Sequence, residues 1–224
     1  MADEAGRLTR TGDTAAVEGA ASRAALPARD LRARLLAALG RPGGPSSDHD
    51  LYAAPPVPLS EGGLRPAGVL AAFDDRGRLI LTKRASSLRH HPGQIALPGG
   101  KVDPGDRDAV AAALREAHEE IGLDPARVEV LGTLPPHRTV TGFAMTPVLG
   151  LITGGPFEPR PEAGEVEEVF RVPFAHVANP ANYRIERRRW RGVWRGYYVA
   201  PWGPYYIWGA TARVLHALAQ RLSP

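Results

Sequence analysis

Three glutamates close to the end of a predicted helix have the spacing best suited to metal chemistry in this chain. Glu116 and Glu120 are four residues apart, so they project from the same face of the helix, with Glu119 beside them. The apolar stripe that packs inward consists of Val110, Ala113, Leu114, Ala117 and Ile121. Gly122 follows at the position where helices commonly end.

Carboxylates in this arrangement destabilise a helix unless something neutralises them. Like charges at positions i and i+4 repel by roughly 0.2–0.5 kcal/mol, and negative charges near the helix C-terminus also oppose the helix dipole. A bound Mg²⁺ or Mn²⁺ would reverse both penalties, because these ions prefer oxygen ligands. The glutamates alone favour a solvated acidic surface, so the metal interpretation depends on the residues around them.

The segment from Gly100 to Leu123 resembles the signature sequence of the Nudix hydrolases. The matching residues are Gly100, Arg115, Glu116, Ala117, Glu119, Glu120, Gly122 and Leu123. Asp106 occupies the first acidic position of the signature, and one residue more than in the family pattern separates it from Arg115. The extra residue lies before the REAHEE segment, so it need not disturb the carboxylates.

Further segments resemble the coenzyme A pyrophosphatase branch of that family. Upstream these are residues 81–85 and 97–100, with Arg89 and Gly93 between them. Downstream they are residues 139–143, 146–148, 165–173 and 207–212. The likeness therefore extends from residue 65 to residue 222, and this branch also tolerates the longer spacing after Asp106.

The resemblance implies hydrolysis of a diphosphate with Mg²⁺ or Mn²⁺ as cofactor. Glu116 and Glu120 are then the leading metal ligands, and Glu119 is a third ligand or a water-mediated one. The carbonyl of Gly99 or Gly100 is expected to contribute, since glycine lets the backbone approach a ligand closely.

The carboxylate that activates the attacking water stays open among four candidates. The family uses a glutamate of the signature or one from a downstream loop, which here means Glu116, Glu119, Glu165 or Glu167. Arg115 is expected to orient the carboxylates by charge-assisted hydrogen bonds, the alternative being a plain surface arginine. The predicted catalytic set is Glu116, Glu119, Glu120, Arg115 and Glu165.

Arg84, Arg89 and Lys101 are the predicted substrate-binding cations. Arg84 and Arg89 flank the branch signature and could bind the phosphates of coenzyme A, although a solvated strand edge would carry the same residues. His90 and His91 are interpreted as polar loop residues, because Mg²⁺ prefers oxygen. His118, between the glutamates, is expected to be exposed and without a role.

The stretch from residue 184 to residue 195 combines six arginines with Trp190 and Trp194. Arginines interleaved with aromatic rings can bind phosphate and stack on a nucleobase. The alternative interpretation is a hairpin with an arginine-covered solvent face.

Three functions are therefore weighed. The first is a coenzyme A pyrophosphatase that releases adenosine 3′,5′-bisphosphate and 4′-phosphopantetheine, or its acyl form. The second is a Nudix hydrolase of ADP-ribose, a nucleoside triphosphate or capped RNA, although no second RNA-binding module supports a nucleic-acid partner. The third is a catalytically silent Nudix module that senses a ligand, and the intact glutamates argue against it.

Composition places the chain among soluble proteins of ordinary domain size. Its 224 residues contain no cysteine, which excludes disulfides, zinc–thiolate sites and cysteine nucleophiles. The net charge of +4 and the pI near 9.7 favour anionic partners only weakly, since arginine-rich composition alone produces them. Neither a membrane span nor a secretory signal is visible, so a cytoplasmic location is expected.

The predicted fold is a Nudix-type α/β/α sandwich with a mixed sheet, preceded by an N-terminal helix and an extended arm. Residues 1–26 are predicted from their composition to be a disordered tail, residues 27–64 to form the helix and the Pro/Gly-rich arm, and residues 65–224 to form the Nudix domain. Strands are expected at 66–73, 78–82, 128–134, 145–152, 166–172, 183–190 and 193–199, and a helix at the end. A homodimer in which the arm swaps between protomers stays open.

Overall fold

The computed structural model is an α/β/α sandwich, in which helices cover both faces of a mixed β-sheet. It describes residues 27–51, 63–190 and 192–223. The helices are α1 (Ala28–Gly40), α2 (Ala109–Ile121), α3 (Phe174–Val177) and α4 (Gly209–Leu222). The strands are β1 (Ser46–Ser47), β2 (Arg65–Phe73), β3 (Arg78–Arg84), β4 (Ile95–Ala96), β5 (Gly99–Lys101), β6 (Val128–Thr133), β7 (His137–Arg138), β8 (Phe143–Ile152), β9 (Val166–Pro173), β10 (Arg184–Trp190) and β11 (Val193–Val199).

Strands β1 to β9 form one sheet, whose central path runs β1-β7-β8-β2-β3-β4. β2 and β8 pair in parallel, from Arg65 opposite Phe143 to Phe73 opposite Leu151. β5 pairs with β2, β6 with β8 and β9 with β3, all antiparallel. β10 and β11 form a separate antiparallel hairpin.

The two faces of β2 carry side chains into two separate cores, because neighbouring residues of a strand point in opposite directions. Val69 and Phe73 pack in one core with Leu31 of α1 and Leu215 of α4. Leu70 packs in the other core, which α2 covers with its alanines and Ile121. The helix with the glutamates therefore lies on the opposite face of the sheet from α1 and α4.

Gly68 lets α2 lie directly against β2. A Cβ at this position would be 1.8 Å from the carbonyl oxygen of Ala109, so any larger residue would displace the helix. Asp108 caps the first turn by accepting a 2.9 Å hydrogen bond from the backbone N–H of Ala111. Gly122 ends the helix in the left-handed conformation, with φ of 70°.

The fold class and the longer elements predicted from the sequence are confirmed, including the hairpin at residues 74–77 and the terminal helix. The sequence pattern does not predict β1, β4, β5 or β7, because two or three residues are too few to show an alternation. Residues 1–26 lie outside the described residues, and the boundaries at 27–64 and 65–224 stay predictions. In the part of the chain that is described, no helix has the length and apolar character needed to cross a bilayer.

Candidate active site

Glu120 is buried where the end of α2 meets β5, whereas the sequence suggests an exposed acidic face. Its side chain is 4% exposed. The backbone N–H of Gly99 donates to Oε2 at 3.2 Å, and Nη1 of Arg84 lies 3.7 Å from Oε1. Burial raises the pKa of Glu120 to about 7, against the Gly99 hydrogen bond and the Arg84 charge, and the charges of Glu116 and Glu165 raise it further.

Glu116 packs its carboxylate against Gly100, the glycine of the signature. A Cβ at Gly100 would lie 2.3 Å from Oε1 of Glu116, so only glycine leaves room for this carboxylate. Burial raises the pKa of Glu116, the Arg115 charge opposes this, and the charges of Glu119 and Glu165 add to it. Glu116 and Glu120 are therefore two partly desolvated carboxylates in the last turns of α2.

Glu119 and His118 face solvent, as the sequence predicts for His118. The Glu119 side chain is 56% exposed and accepts a 2.9 Å hydrogen bond from Nη1 of Arg115. Glu119 therefore lies at the solvent edge of the carboxylates, unlike buried Glu120.

Arg115 links these glutamates to the loop before α2. Its Nη1 donates to Glu116 at 3.1 Å as well as to Glu119, and its Nη2 donates to the carbonyl of Lys101 at 3.2 Å. On its other side, Nε and Nη2 donate to the two oxygens of Asp106 at 3.0 and 2.9 Å. The Asp106 hydrogen bond is the largest of the causes that raise the pKa of Arg115.

Asp106, the first acidic residue of the signature, is held against Arg115. Its side chain is 6% exposed, and the backbone N–H of Asp103 donates to it at 2.9 Å. The Arg115 hydrogen bond lowers the pKa of Asp106, so this acid stays charged and holds the guanidinium in place. The longer spacing in the signature therefore leaves Asp106 and Arg115 in direct contact.

Glu165 and Glu167 differ in their surroundings, although two residues separate them. Glu167 accepts hydrogen bonds of 2.6 Å from both Lys83 and Ser86, and the Lys83 bond is the largest cause that lowers its pKa. Glu165 is exposed, and its backbone carbonyl accepts a 2.9 Å hydrogen bond from the N–H of Ala85. Its charge acts on both Glu116 and Glu120, as their pKa values show.

The three predicted substrate-binding cations are arranged unequally. Arg84 lies at the carboxylates, next to Glu120. Lys101 is 65% exposed and pairs with Asp103, 3.0 Å from Nζ to Oδ1. Arg89 is exposed on the loop that joins β3 to β4. Arg84 alone of the three therefore contacts a predicted metal ligand within the described residues.

The arginine-rich segment forms the β10–β11 hairpin, whose base packs on the rest of the domain. Tyr198 stacks on His216 of α4 with ring centroids 4.3 Å apart, and Tyr197 meets Trp208 edge to face at 5.5 Å. Trp194 is 63% exposed, and Arg189 is opposite it on β10. Among its described side chains, the hairpin therefore presents Trp194 and several arginines to solvent.

The oxygen donors at the end of α2 fit a hard divalent cation. Glu120 and Glu116 supply carboxylates whose burial costs free energy unless a positive charge compensates it. The guanidinium of Arg84 lies 3.7 Å from the Glu120 carboxylate. Gly100 leaves room beside Glu116 and carries a carbonyl of the expected kind. No group of three acidic or histidine side chains within residues 27–51, 63–190 and 192–223 forms a metal site by itself, so backbone or water oxygens would complete the shell.

The comparison with protein families identifies the class to which this fold and these carboxylates belong. Residues 64–191 match the family model of the NUDIX domain, which is more than half of the 224 residues. The chain therefore belongs to the Nudix family. It is a hydrolase of the kind that acts on small diphosphate compounds, generally with a divalent metal ion such as Mg²⁺.

Named relatives agree with this assignment. "Uncharacterized Nudix hydrolase NudL" of Enterobacter sp. (strain 638) is 44% identical over 164 residues, which is 70% of this chain and 83% of the relative. The protein of the same name from Salmonella paratyphi B is 44% identical over 149 residues, 64% of this chain and 74% of the relative. Among solved structures, the MutT protein from Methanosarcina mazei Go1 aligns with a TM-score of 0.43 and 19% identity, over 53% of this chain and 83% of that one.

Proposed function

We propose that this Nudix hydrolase cleaves coenzyme A, or its thioesters and other derivatives, at the diphosphate. The observation that carries the proposal is the position of the segment that resembles the coenzyme A branch. Arg84, at its start, lies 3.7 Å from Glu120, and the N–H of Gly99, at its end, donates to the same carboxylate. The branch-specific residues therefore border the carboxylates that all members of the family need.

The proposed reaction is the addition of water to a phosphorus atom with cleavage of one phosphorus–oxygen bond of the anhydride. The water oxygen stays on the attacked phosphorus, its proton passes to a carboxylate, and the bridging oxygen leaves with the other phosphate. The products are adenosine 3′,5′-bisphosphate and 4′-phosphopantetheine, or the acyl form of the latter.

Glu116, Glu120 and the Gly100 carbonyl would hold Mg²⁺ or Mn²⁺, with Glu119 reached through a water. When bound, such an ion neutralises phosphate oxygens and lowers the pKa of coordinated water. Arg115 keeps Glu116 and Glu119 in place, because Asp106 holds its guanidinium from the opposite side.

Glu165 is the proposed general base. Glu167 is committed to Lys83 and Ser86, and both hydrogen bonds favour its charged form and reduce its ability to take up a proton. Glu119 is committed to Arg115. Glu165 is exposed, and its backbone is fixed to Ala85, one residue after Arg84.

Arg84, Arg89 and Lys101 are the proposed binding cations for the phosphates. Arg84 is positioned for the diphosphate itself, because it already lies beside the carboxylates. Arg89 and Lys101 are exposed at the loop and at β5, where they could reach the phosphates farther from the cleavage point.

Hydrolysis of a substrate panel tests the proposal. Coenzyme A, ADP-ribose, dGTP and capped RNA are each incubated with Mg²⁺ and the wild-type chain, and with Glu120→Gln as the inactive control. We expect the highest kcat/KM for coenzyme A and a loss of turnover in the variant. The absence of coenzyme A hydrolysis, or undiminished hydrolysis by Glu120→Gln, would reject this function.

Capped RNA is the second candidate substrate, because Trp194 and the arginines of the β10–β11 hairpin offer an exposed stacking and phosphate-binding surface. Replacement of Trp194 by alanine separates the two candidates. We expect coenzyme A hydrolysis to be unchanged in this variant, whereas an RNA substrate would lose affinity by about 1–3 kcal/mol per lost base stack. If none of the four substrates is hydrolysed, the catalytically silent ligand-sensing module becomes the favoured function.

A further inference from the structure

A cavity of about 440 Å³ lies on the face of the sheet opposite to the carboxylates. Its walls come from α4, from the chain between α1 and β1, and from Pro147 of β8. No residue of α2 or β5 takes part, so this space is separate from the candidate active site. Its volume is within the range of pockets that take small organic ligands.

Arg221 of α4 brings a buried positive charge to this cavity. Its side chain is 9% exposed, and Nη1 donates to the backbone carbonyls of Ala38 and Arg41 at 3.4 and 2.6 Å. Gly43 lies directly on the guanidinium, since a Cβ there would be 2.3 Å from Nη2. Among the described residues, no carboxylate lies within ion-pair distance of Arg221, and its hydrogen-bond partners there are backbone carbonyls.

Two more arginines line the same cavity. Arg41 is exposed and donates to the carbonyl of Ser223, again without an acidic partner among residues 27–51, 63–190 and 192–223. Arg213 pairs through Nη2 with Asp50 at 3.1 Å, but its Nε is buried and has no hydrogen-bond partner in the described chain. Three arginines therefore line this cavity, and Arg213 is the one of them with a carboxylate partner among the described residues.

The rest of the lining is mostly apolar. It includes Pro42, Pro45, Leu134, Pro135, Pro147 and Val214. Cationic groups at one side of an apolar cavity are complementary to a molecule with an anionic head and an apolar body. An inorganic anion would satisfy the arginines but would leave these walls in contact with water.

We propose that this cavity is a second binding site, separate from the active site, for a small organic anion with an apolar body. Arg41 and Arg221 bind its carboxylate or phosphate, and the proline-rich walls cover the body. The alternative is that Arg221 only caps α1, whose last carbonyls it contacts. This alternative explains the two hydrogen bonds of Nη1, but it leaves the second cation, Arg41, and the empty volume beside it unexplained.

Calorimetric titration tests the proposal, with octanoate as the amphipathic probe and inorganic phosphate as the head group alone. EDTA is present throughout, so that no metal at Glu116 and Glu120 can hold either anion. We expect one saturable site for octanoate and binding of phosphate at least 10-fold weaker. Ala217→Leu, which fills the cavity and removes no charge, should weaken octanoate binding at least 10-fold, and Arg41→Gln about 10-fold.

The controls are Arg76→Gln, an exposed arginine of the β2–β3 turn, and Glu120→Gln, and both should bind octanoate like the wild type. Since Arg221→Met also removes the cap of α1, it is used only if its thermal unfolding remains cooperative. Absence of saturable octanoate binding overturns the proposal. So does binding that survives Ala217→Leu, or binding that Glu120→Gln abolishes, because it would then be located elsewhere.

Discussion

Glu120 and Arg221 are buried charged side chains on opposite faces of the sheet, and their surroundings compensate the two charges in different ways. Glu120, in the last turn of α2, has one backbone N–H at 3.2 Å and a guanidinium at 3.7 Å. Arg221 lies on the α1–α4 face with two backbone carbonyls and no described carboxylate. Burial of a charge costs several kcal/mol unless it is paired, so both positions are costly as plain structure.

The difference is that other acids surround Glu120, whereas other bases surround Arg221. Glu116 and Glu165 add negative charge around Glu120, which suits a cation. Arg41 and Arg213 add positive charge around the second cavity, which suits an anion. Under both proposals, an incompletely compensated buried charge would indicate a ligand site, and the neighbouring charges would give the sign of the ligand.

Removal of the Glu120 charge should have the largest effect. Glu120→Gln keeps the shape of the side chain but removes a proposed metal ligand, so we expect kcat/KM for coenzyme A to fall roughly 10³-fold, about 4 kcal/mol of transition-state stabilisation. The measurement is initial-rate hydrolysis at saturating Mg²⁺. Asp75→Asn, at an exposed acid in the β2–β3 turn, is the matched control and should retain full activity. Less than a 10-fold loss in Glu120→Gln would remove Glu120 from the metal-binding set.

In the absence of metal, the wild type and Glu120→Gln should differ in how their free energy of unfolding depends on pH. The pKa of Glu120 is about 7 in the fold against 4.5 for an ordinary glutamate, so the folded state binds more protons between these values. Stability due to this group is therefore present at low pH and is lost as the pH rises through about 7. Glu116, Glu165 and Arg84 are the charged groups that face it.

Glu120→Gln cannot lose a proton, so its advantage over the wild type should grow from near zero at pH 4.5 to about 3 kcal/mol above pH 7. Urea unfolding in EDTA at a series of pH values measures this difference. A constant difference across the range would mean that Glu120 is hydrated in the metal-free protein.

Arg221→Met, in contrast to Glu120→Gln, should lower the free energy of unfolding, and by an amount that does not depend on pH. The substitution removes the side-chain donor of the Arg41 carbonyl and one of the two donors of the Ala38 carbonyl, which keeps the backbone N–H of Arg41, so we expect a loss of roughly 1–3 kcal/mol in the free energy of unfolding. The loss should not vary between pH 5 and 8, because a guanidinium does not titrate there. Urea unfolding checks both points, with exposed Arg76→Met as a control expected within about 0.5 kcal/mol of the wild type. A stabilised Arg221→Met would show that the hydrogen bonds do not offset the cost of burying the charge.

The carboxylate site on α2 can be predicted from the sequence to a greater extent than the arginine-lined cavity. The spacing of Glu116 and Glu120 follows from helical periodicity, and the stripe around Ala113 and Ala117 predicts which side of the helix packs inward. The burial of Glu120 cannot be predicted in this way, because it depends on β5, three residues long, lying against the helix end. The longer strands and the terminal helix are predictable, since each has a clear hydrophobic period.

The second cavity has no counterpart in sequence reasoning. Arg213 and Arg221 both belong to α4, and Arg41 joins them at the cavity because α1 packs against α4. No local pattern encodes a contact between segments so far apart in the chain. Asp106 is an intermediate case. Its negative charge and its position before Arg115 suggest an ion pair with that residue. Only the fold shows that Nε and Nη2 of Arg115 donate to the two Asp106 oxygens.

Arg115→Lys should have the smallest effect on the active-site face, because it keeps the charge and removes only the fork geometry. A lysine ammonium cannot hold Asp106 on one side and Glu116 and Glu119 on the other, so the carboxylates become less well ordered. We expect about a 10-fold fall in kcat/KM and a higher Mg²⁺ concentration at half-maximal rate. Arg127→Lys is the matched control, since Arg127 also bridges several groups, the carbonyls of Thr153 and Gly155, away from the carboxylates. Equal losses in the two variants would indicate a general effect on stability, whereas a loss confined to Arg115→Lys indicates that the guanidinium orders the glutamates for the metal ion.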